Sequence, residues 1–372
     1  MNILQGNALP SPDLVDGVNT TIWSIAREQV AIGHDVGVMI GEPFPAARVI
    51  ADHYGLRLHV AKPTLRNYAE AFRRALTTKP DVVHLHSTFT PRLVIAAELA
   101  RQAGVPVVTT PHGGLRPYML GHGSGGQAAY ARTIERRRFK QSAAITALLP
   151  AEMRDIRSFV PDFSGPLLQV PSPVEGIASP PTERHRGQGP VIFLGRLAMH
   201  GKGLDRFLEI ARRMSSVPFE IYGEGPDRDE LDRRRPPNVT IHPPVYGEHK
   251  AATLARAGLY LQVSRWEAFG ISVGEAMLAG LPCAISDTID LAPVFAEHDL
   301  GLLLPPDPAE AAEALAGVLA DRERLSSWAD AAGTYARRHF SNRAVASGYL
   351  QAYQLVTALA HENVGGAHGK RS

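Results

Sequence analysis

A single cysteine, Cys283, occurs among 372 residues. No internal disulfide framework is therefore available, and the chain suits a reducing compartment. An excess of one charge is missing too: 39 Lys and Arg face 37 Asp and Glu, a formal net charge of +2, which argues against nucleic acid as the default partner. No run approaches the roughly 18 uninterrupted apolar residues of a membrane span, and Met1-Asn-Ile-Leu-Gln-Gly6 has neither the basic start nor the apolar centre of a signal peptide. A cytoplasmic protein is expected, with attachment to the inner face of a membrane left open. Short-period repeats and low-complexity tracts are absent as well. What is present is a hydrophobic content of 44% and a charged content of 20%. The length exceeds what one core usually supports, so two domains are expected.

Apolar strand-like runs alternate with segments of helical period. Ile3-Leu4 precedes Val18, Ile22, Ile25, Ala26 and Val30 at helical spacing, then Val36 to Ile40. This βαβ pattern recurs around Asp81 to His86, Val105 to Thr110 and Ala143 to Leu149. A second series comprises Val191 to Leu194, Phe219 to Tyr222, Val239 to Ile241, Leu259 to Val263, Cys283 to Ile285 and Leu302 to Leu304. The economical reading is α/β, with two parallel, doubly wound, Rossmann-like domains. Between the series, Pro171 to Pro190 is too rich in Pro, Gly and charge for a helix or central strand. The expected division is 1–168 and 169–341, followed by an amphipathic helix over about 342–362 and a disordered tail at 363–372.

The stretch Ser264 to Pro282 carries the strongest chemical signal. Leu259 to Val263 reads as a buried strand, Ser272 as a helix N-cap, Gly280 as the C-terminal stop, and Pro282 bars continuation. The amides of Phe269, Gly270, Ile271 and Ser272 then face outward at a helix start, a seat for phosphate, with Glu267 and Glu275 on either side. Glu275 has a second reading, as the partner of Ser272 in a capping box.

The pattern E-x-F-G-x-x-x-x-E-A-M-x-x-G-x-P over these residues resembles the signature of retaining GT-B glycosyltransferases of the group 1, GT4 type. That family includes sucrose-phosphate synthases and bacterial polysaccharide and phosphatidylinositol mannosyltransferases. The resemblance implies two facing Rossmann-like domains with a deep interdomain cleft: the first binds the acceptor, and the second binds the nucleotide-sugar donor. It also implies that the 342–362 helix crosses back onto the first domain.

Four further groups follow strands, where open α/β sheets bind ligands. In Asp16-Gly17-Val18, Gly17 either permits close approach to an anion or serves only as a turn, and Val18 stands where the family has a second glycine. In Gly195-Arg-Leu-Ala-Met-His-Gly-Lys-Gly-Leu-Asp205, a glycine-bearing loop lets Arg196 and Lys202 converge on a diphosphate; the block resembles the family's second motif, in which these side chains hold the distal phosphate. In Tyr222-Gly-Glu-Gly-Pro226, Gly223 gives a bare turn suited to a ribose or base, and the resemblance implies that backbone near Val245 meets the base. The nearby Asp227-Arg-Asp229 spells a metal-binding triplet of another architecture but reads here as an acidic first helical turn. Fourth, Thr109-Thr-Pro-His-Gly-Gly114 ends a strand, where His112 either hydrogen-bonds a sugar hydroxyl, handles a proton or caps the strand; the family places a histidine here against the donor sugar. Of the alternating pair on an earlier strand, His86 is expected to reach the cleft and His84 to pack. Arg116 to Gly126 is expected to be a mobile loop near the acceptor. Arg132, Arg136, Arg137, Arg138 and Lys140 form either a solvated face or a contact for an anionic acceptor or membrane.

The resulting expectation is metal-independent, cofactor-free transfer of sugar from a UDP- or GDP-sugar or similar donor to a hydroxyl acceptor, with retention. Arg196, Lys202 and the helix-start amides stabilise the leaving diphosphate, Glu267 grips donor hydroxyls, Glu275 the ribose, and His112 orients the sugar. The alternatives are a nucleotide-sugar epimerase on the same architecture and a sugar-nucleotide-binding subunit without catalysis. Donor base, sugar, acceptor and oligomeric state are not encoded legibly.

Overall fold

The computed structural model describes residues 1–7, 17–41, 45–116, 129–176 and 188–368. The chain divides into two units, Met1–Pro173 with Asn342–Ser372, and Val174–Ser341. No helix among the described residues is long and apolar enough to cross a membrane.

The first unit holds a sheet of seven parallel strands: β1 (Asn2–Gly6), β2 (Asp35–Ile40), β3 (Arg57–Val60), β4 (Val82–His86), β5 (Val107–Thr110), β6 (Ala144–Ala147) and β7 (Leu167–Gln169), in the order β3-β2-β1-β4-β5-β6-β7. The central strands are buried along their length, as expected where helices cover both faces of a parallel sheet. The two strands unforeseen from sequence, β3 and β7, are the edges. Each is short and mostly half-buried, so neither carries the apolar run that marks an inner strand.

The second unit repeats the plan with β8 (Val191–Leu194), β9 (Phe219–Tyr222), β10 (Val239–His242), β11 (Leu259–Gln262), β12 (Cys283–Ser286) and β13 (Leu302–Leu304), ordered β10-β9-β8-β11-β12-β13 and all parallel. Its core includes Phe193, Phe207 and Phe219, whose rings meet edge to face at 6.3 and 5.5 Å. Each sheet reverses its winding once, between β1 and β4 and between β8 and β11. Open α/β sheets bind ligands beyond the carboxyl ends of the strands at such a reversal.

The final helix, Asn342–His368, returns to the first unit, where Val345, Tyr349, Tyr353 and Val356 are buried with Ile22, Ile25 and Ala26 of the Gly17–Ala31 helix. Residues 363–368, expected to be disordered, continue this helix, since extending a formed helix is far easier than nucleating one; residues 369–372 lie outside the described residues.

Candidate active site

In the second unit the two sequence motifs leave the two strands that flank the winding reversal. The Gly195–Asp205 block follows β8, and the Ser264–Gly270 segment follows β11. Gly203 has φ +66°, and a Cβ there would sit 2.0 Å from the Val263 carbonyl oxygen. Only glycine lets the loop turn this tightly against the end of β11. Arg265 fixes the same loop from the other side: its guanidinium binds Asp205 through two bonds of 2.8 and 2.6 Å and donates to the His200 carbonyl at 2.8 Å. Burial works against the Asp205 carboxylate, but Arg265 outweighs it and holds its pKa below the ordinary value.

The loop so anchored presents Lys202, whose ammonium forms an ion pair with Glu267. Glu267 lies against the helix start, its Cγ 3.3 Å from where a Cβ on Gly270 would be. Gly270 is the N-cap of the Ile271–Leu278 helix, with φ +78°, a backbone state that costs other residues about 1–2 kcal/mol. Its carbonyl takes the Val273 amide at 2.9 Å. The amides of Phe269, Gly270, Ile271 and Ser272 donate to no carbonyl among the described residues. The Phe269 ring is buried edge-on against Phe340 at 4.9 Å, so this residue offers only its backbone.

The assignment of Ser272 as N-cap is corrected. It is the second residue of the helix, and its hydroxyl is within 2.8 Å of the buried Tyr260 hydroxyl. The capping-box reading of Glu275 fails with it: Glu275 instead accepts from Lys250 at 2.6 Å. The seat has a polar underside. Tyr260 lies 2.7 Å from Gln262 Oε1, and the Gln262 amide donates to Ser264 at 2.8 Å and to Glu267 at 3.2 Å. Side chains from Ser272 to Lys202 are thereby linked in one run. Arg196 is exposed in the same loop, with no side-chain bond to the described residues.

Gly195 donates its amide to the Tyr222 carbonyl at 3.0 Å, and Gly223 donates to His242 at 3.2 Å while packing on the Gly195 backbone. Val245 is partly exposed in the loop between β10 and the Gly247–Arg256 helix. Asp227 accepts the Met199 amide at 2.6 Å, so this carboxylate braces the lysine loop.

In the first unit, Gly17 opens its helix and is exposed, Asp16 lies outside the described residues, and Val18 packs on the core. His112 follows β5 with φ +52°, a left-handed state uncommon for a side-chain-bearing residue. It is held there because the buried Glu152 carboxylate binds the next amide, Gly113, and takes the Leu148 amide at 2.7 Å. Burial lowers the His112 pKa to about 3. His84 and His86 are both fully buried, ring centroids 3.8 Å apart. His86 therefore does not reach a surface itself; its Nδ1 is 2.9 Å from His112 Nε2, and its Nε2 is 2.9 Å from Gln5 Oε1. Residues 117 to 126 of the glycine-rich loop lie outside the described residues.

The basic run is mostly committed. Arg138, 1% exposed, pairs with Glu135 at 2.5 Å, and Lys140 and Arg136 share Asp162 at 2.8 and 3.6 Å. Only Arg132 and Arg137 are without an ion-pair partner among the described residues.

Two family models match the chain: one described as Glycosyl transferase 4-like domain, over residues 16–165, and one as Glycosyl transferases group 1, over residues 189–321. The chain belongs to the group 1 glycosyltransferases. It is 28% identical over 356 residues to a GDP-mannose-dependent alpha-mannosyltransferase of Mycolicibacterium smegmatis, covering 83% of this chain and 87% of that one. Among solved structures of this GT-B fold it is similar to sucrose-phosphate synthase from Thermosynechococcus elongatus, with a TM-score of 0.77 and 17% identity over 96% of this chain and all of that one. It is also similar to Anabaena HepE in complex with UDP-glucose, with a TM-score of 0.69 and 18% identity over 98% of this chain and all of that one. The family signature identifies Lys202, Glu267 and Glu275. It is silent on Lys250, Gln262 and Arg265, which hold them. Gln262 did leave a trace, as a lone amide in the otherwise apolar run Leu259 to Val263; Lys250, 25 residues from its partner, left none.

Proposed function

We propose that this glycosyltransferase moves a sugar from a nucleoside diphosphate sugar to a hydroxyl acceptor, with retention of anomeric configuration and without a metal. The observation that carries the reading is the Lys202–Glu267 pair beside the Gly270 helix start. As the bond from the anomeric carbon to the diphosphate breaks, the acceptor oxygen bonds that carbon on the same face and passes its proton to the departing phosphate oxygen. Negative charge grows on the diphosphate, where Lys202, Arg196 and the amides of residues 269–272 meet it. An ammonium has three N–H donors and a carboxylate about four acceptor sites, so Lys202 can keep Glu267 while donating to a phosphate oxygen, and Glu267 can keep Lys202 while accepting a sugar hydroxyl. In the second unit Glu275 is assigned to the ribose, with Gly195, Gly223 and Val245 beside the nucleotide; in the first unit His112 is assigned to a sugar hydroxyl and Gly17 to an anion at its helix start. Arg132 and Arg137, next to the exposed Ile134, are the basic groups available to an anionic acceptor or lipid surface.

GDP- and UDP-hexoses head the donor panel, because the mannosyltransferase named above uses the first and the HepE structure holds the second. Lys202→Ala and Arg196→Ala should each lower turnover by roughly 100-fold or more in protein that still melts cooperatively, and EDTA should leave the wild-type rate unchanged. Near-normal rates in both variants would remove the phosphate role, and an inverted product anomer would remove retention. Donor isomerisation without acceptor, or tight donor binding with no transfer to any acceptor, would replace the transferase reading with an epimerase or a binding subunit.

A further inference from the structure

The histidines of the first unit belong to a closed set of hydrogen bonds whose direction can be worked out. The Gln5 amide nitrogen lies 2.9 Å from Gln29 Oε1 and 3.3 Å from the Tyr353 hydroxyl, and the Gln29 amide nitrogen lies 3.4 Å from the same hydroxyl. Tyr353 thus receives N–H groups from both amides, and its own proton is left for His84 Nδ1, 2.7 Å away. His84 then carries its proton on Nε2, which donates to Thr110 Oγ1 at 2.7 Å. The Gln5 oxygen, turned the other way, can only accept, so the proton on His86 must sit on Nε2. A neutral imidazole has one proton, which leaves His86 Nδ1 as an acceptor and makes His112 Nε2 the donor of the 2.9 Å bond between them.

We infer that His86, oriented by Gln5, is a positioning residue that fixes His112 in the tautomer with its proton on Nε2, leaving Nδ1 to accept a hydrogen bond from a substrate hydroxyl. Each hydrogen bond in the set then has one donor and one acceptor, and burial lowers the pKa of all three imidazoles, so none is charged near neutrality. His112 then orients a hydroxyl without carrying a proton. The tautomer follows from the hydrogen bonds together with the orientation of the Gln5 and Gln29 amides; its use against a sugar hydroxyl rests on the role assigned to His112 above.

The test is long-range proton–nitrogen NMR on the full chain with 15N-labelled histidine at pH 7. His112 should show a pyridine-type Nδ1 and a pyrrole-type Nε2, and His86 a pyrrole-type Nε2. His86→Leu, which removes the acceptor, should let His112 populate both tautomers and reduce kcat on the order of 10-fold, the worth of one hydrogen bond. His86→Asn places an amide oxygen near the lost Nδ1 and should restore both the tautomer and most of the rate. A pyrrole-type Nδ1 on His112 in the wild type, or a single unchanged tautomer in His86→Leu, overturns the inference. The wild-type spectrum decides even where the Leu variant does not fold. Full transfer activity in His112→Ala would sink the sugar contact and leave the tautomer standing.

Discussion

Lys250 and Glu275 illustrate how a single pair changes the meaning of a motif residue. Glu275 is mostly buried, with its side chain 13% exposed, and Lys250 supplies the cation that makes that tolerable. A vicinal diol placed on this pair finds an acceptor in the carboxylate and a donor in the ammonium, so the two residues together suit a ribose better than either alone. Lys250→Met should weaken nucleotide binding roughly 10-fold, about 1.4 kcal/mol, as read by calorimetry with UDP and GDP, while the anomer of the product stays the same. Glu275→Gln should weaken binding as well. If Glu275→Gln loses only thermal stability and keeps its affinity, the ribose assignment is wrong and the carboxylate serves the fold alone.

At the scale of the element, the lysine loop is a short span held at both ends. Gly203 turns it against β11, and Arg265 reaches from the far side to Asp205 and the His200 carbonyl. Removing the guanidinium leaves the Asp205 carboxylate, already partly desolvated, without its compensating charge, and frees the segment that carries Lys202. Arg265→Met should raise amide exchange across residues 198–204 and lower kcat by about 10- to 100-fold, because small misplacement of a charge-stabilising group is costly. Exchange identical to the wild type in that segment would show that the ion pair holds nothing in place. The alternation of apolar runs and the signature motifs made the inner strands of both sheets, the lysine and the two glutamates legible from sequence. The supports were not, because they join residues distant along the chain: Asp205 to Arg265, Lys250 to Glu275, Gln5 to His86. Ser272 misled for a related reason. Its type and position fit an N-cap, but a glycine two residues earlier takes the left-handed turn, and the serine hydroxyl is drawn to a buried tyrosine that local pattern does not reveal. The edge strands β3 and β7 escaped notice because half-buried strands of three or four residues lack a periodic signal.

At the scale of the molecule, the two units differ in what acid does to them. His84 and His86 are fully buried, and burial, reinforced by the neighbouring imidazoles, holds each well below the ordinary histidine pKa of 6.5; His112 is lowered to about 3 by burial. Once the pH drops below 6.5, an unfolded chain protonates these rings and the folded first unit does not. The unfolded state then binds more protons, so stability falls as pH falls, by up to about 1.4 kcal/mol per pH unit for each such ring. In the second unit the perturbed groups include Asp205 and Glu220, where burial is outweighed by bonds to Arg265 and to Arg256 and Tyr222. Their pKa values are depressed, so their contribution is intact at pH 5 and is lost only as carboxylates protonate, below about pH 4. Between pH 6.5 and 5 the first unit should therefore weaken ahead of the second. The three tryptophans allow the units to be followed apart: Trp23 lies in the first, and Trp266 and Trp328 lie in the second. In a Trp266→Phe, Trp328→Phe variant, the urea midpoint reported by Trp23 should drop markedly from pH 7 to pH 5. In Trp23→Phe, the midpoint reported by the other two should move far less. A Trp23 midpoint that holds steady over that range would mean the buried imidazoles take up protons in the folded state, and the neutral network drawn around His86 and His112 would have to be redrawn as a charged one.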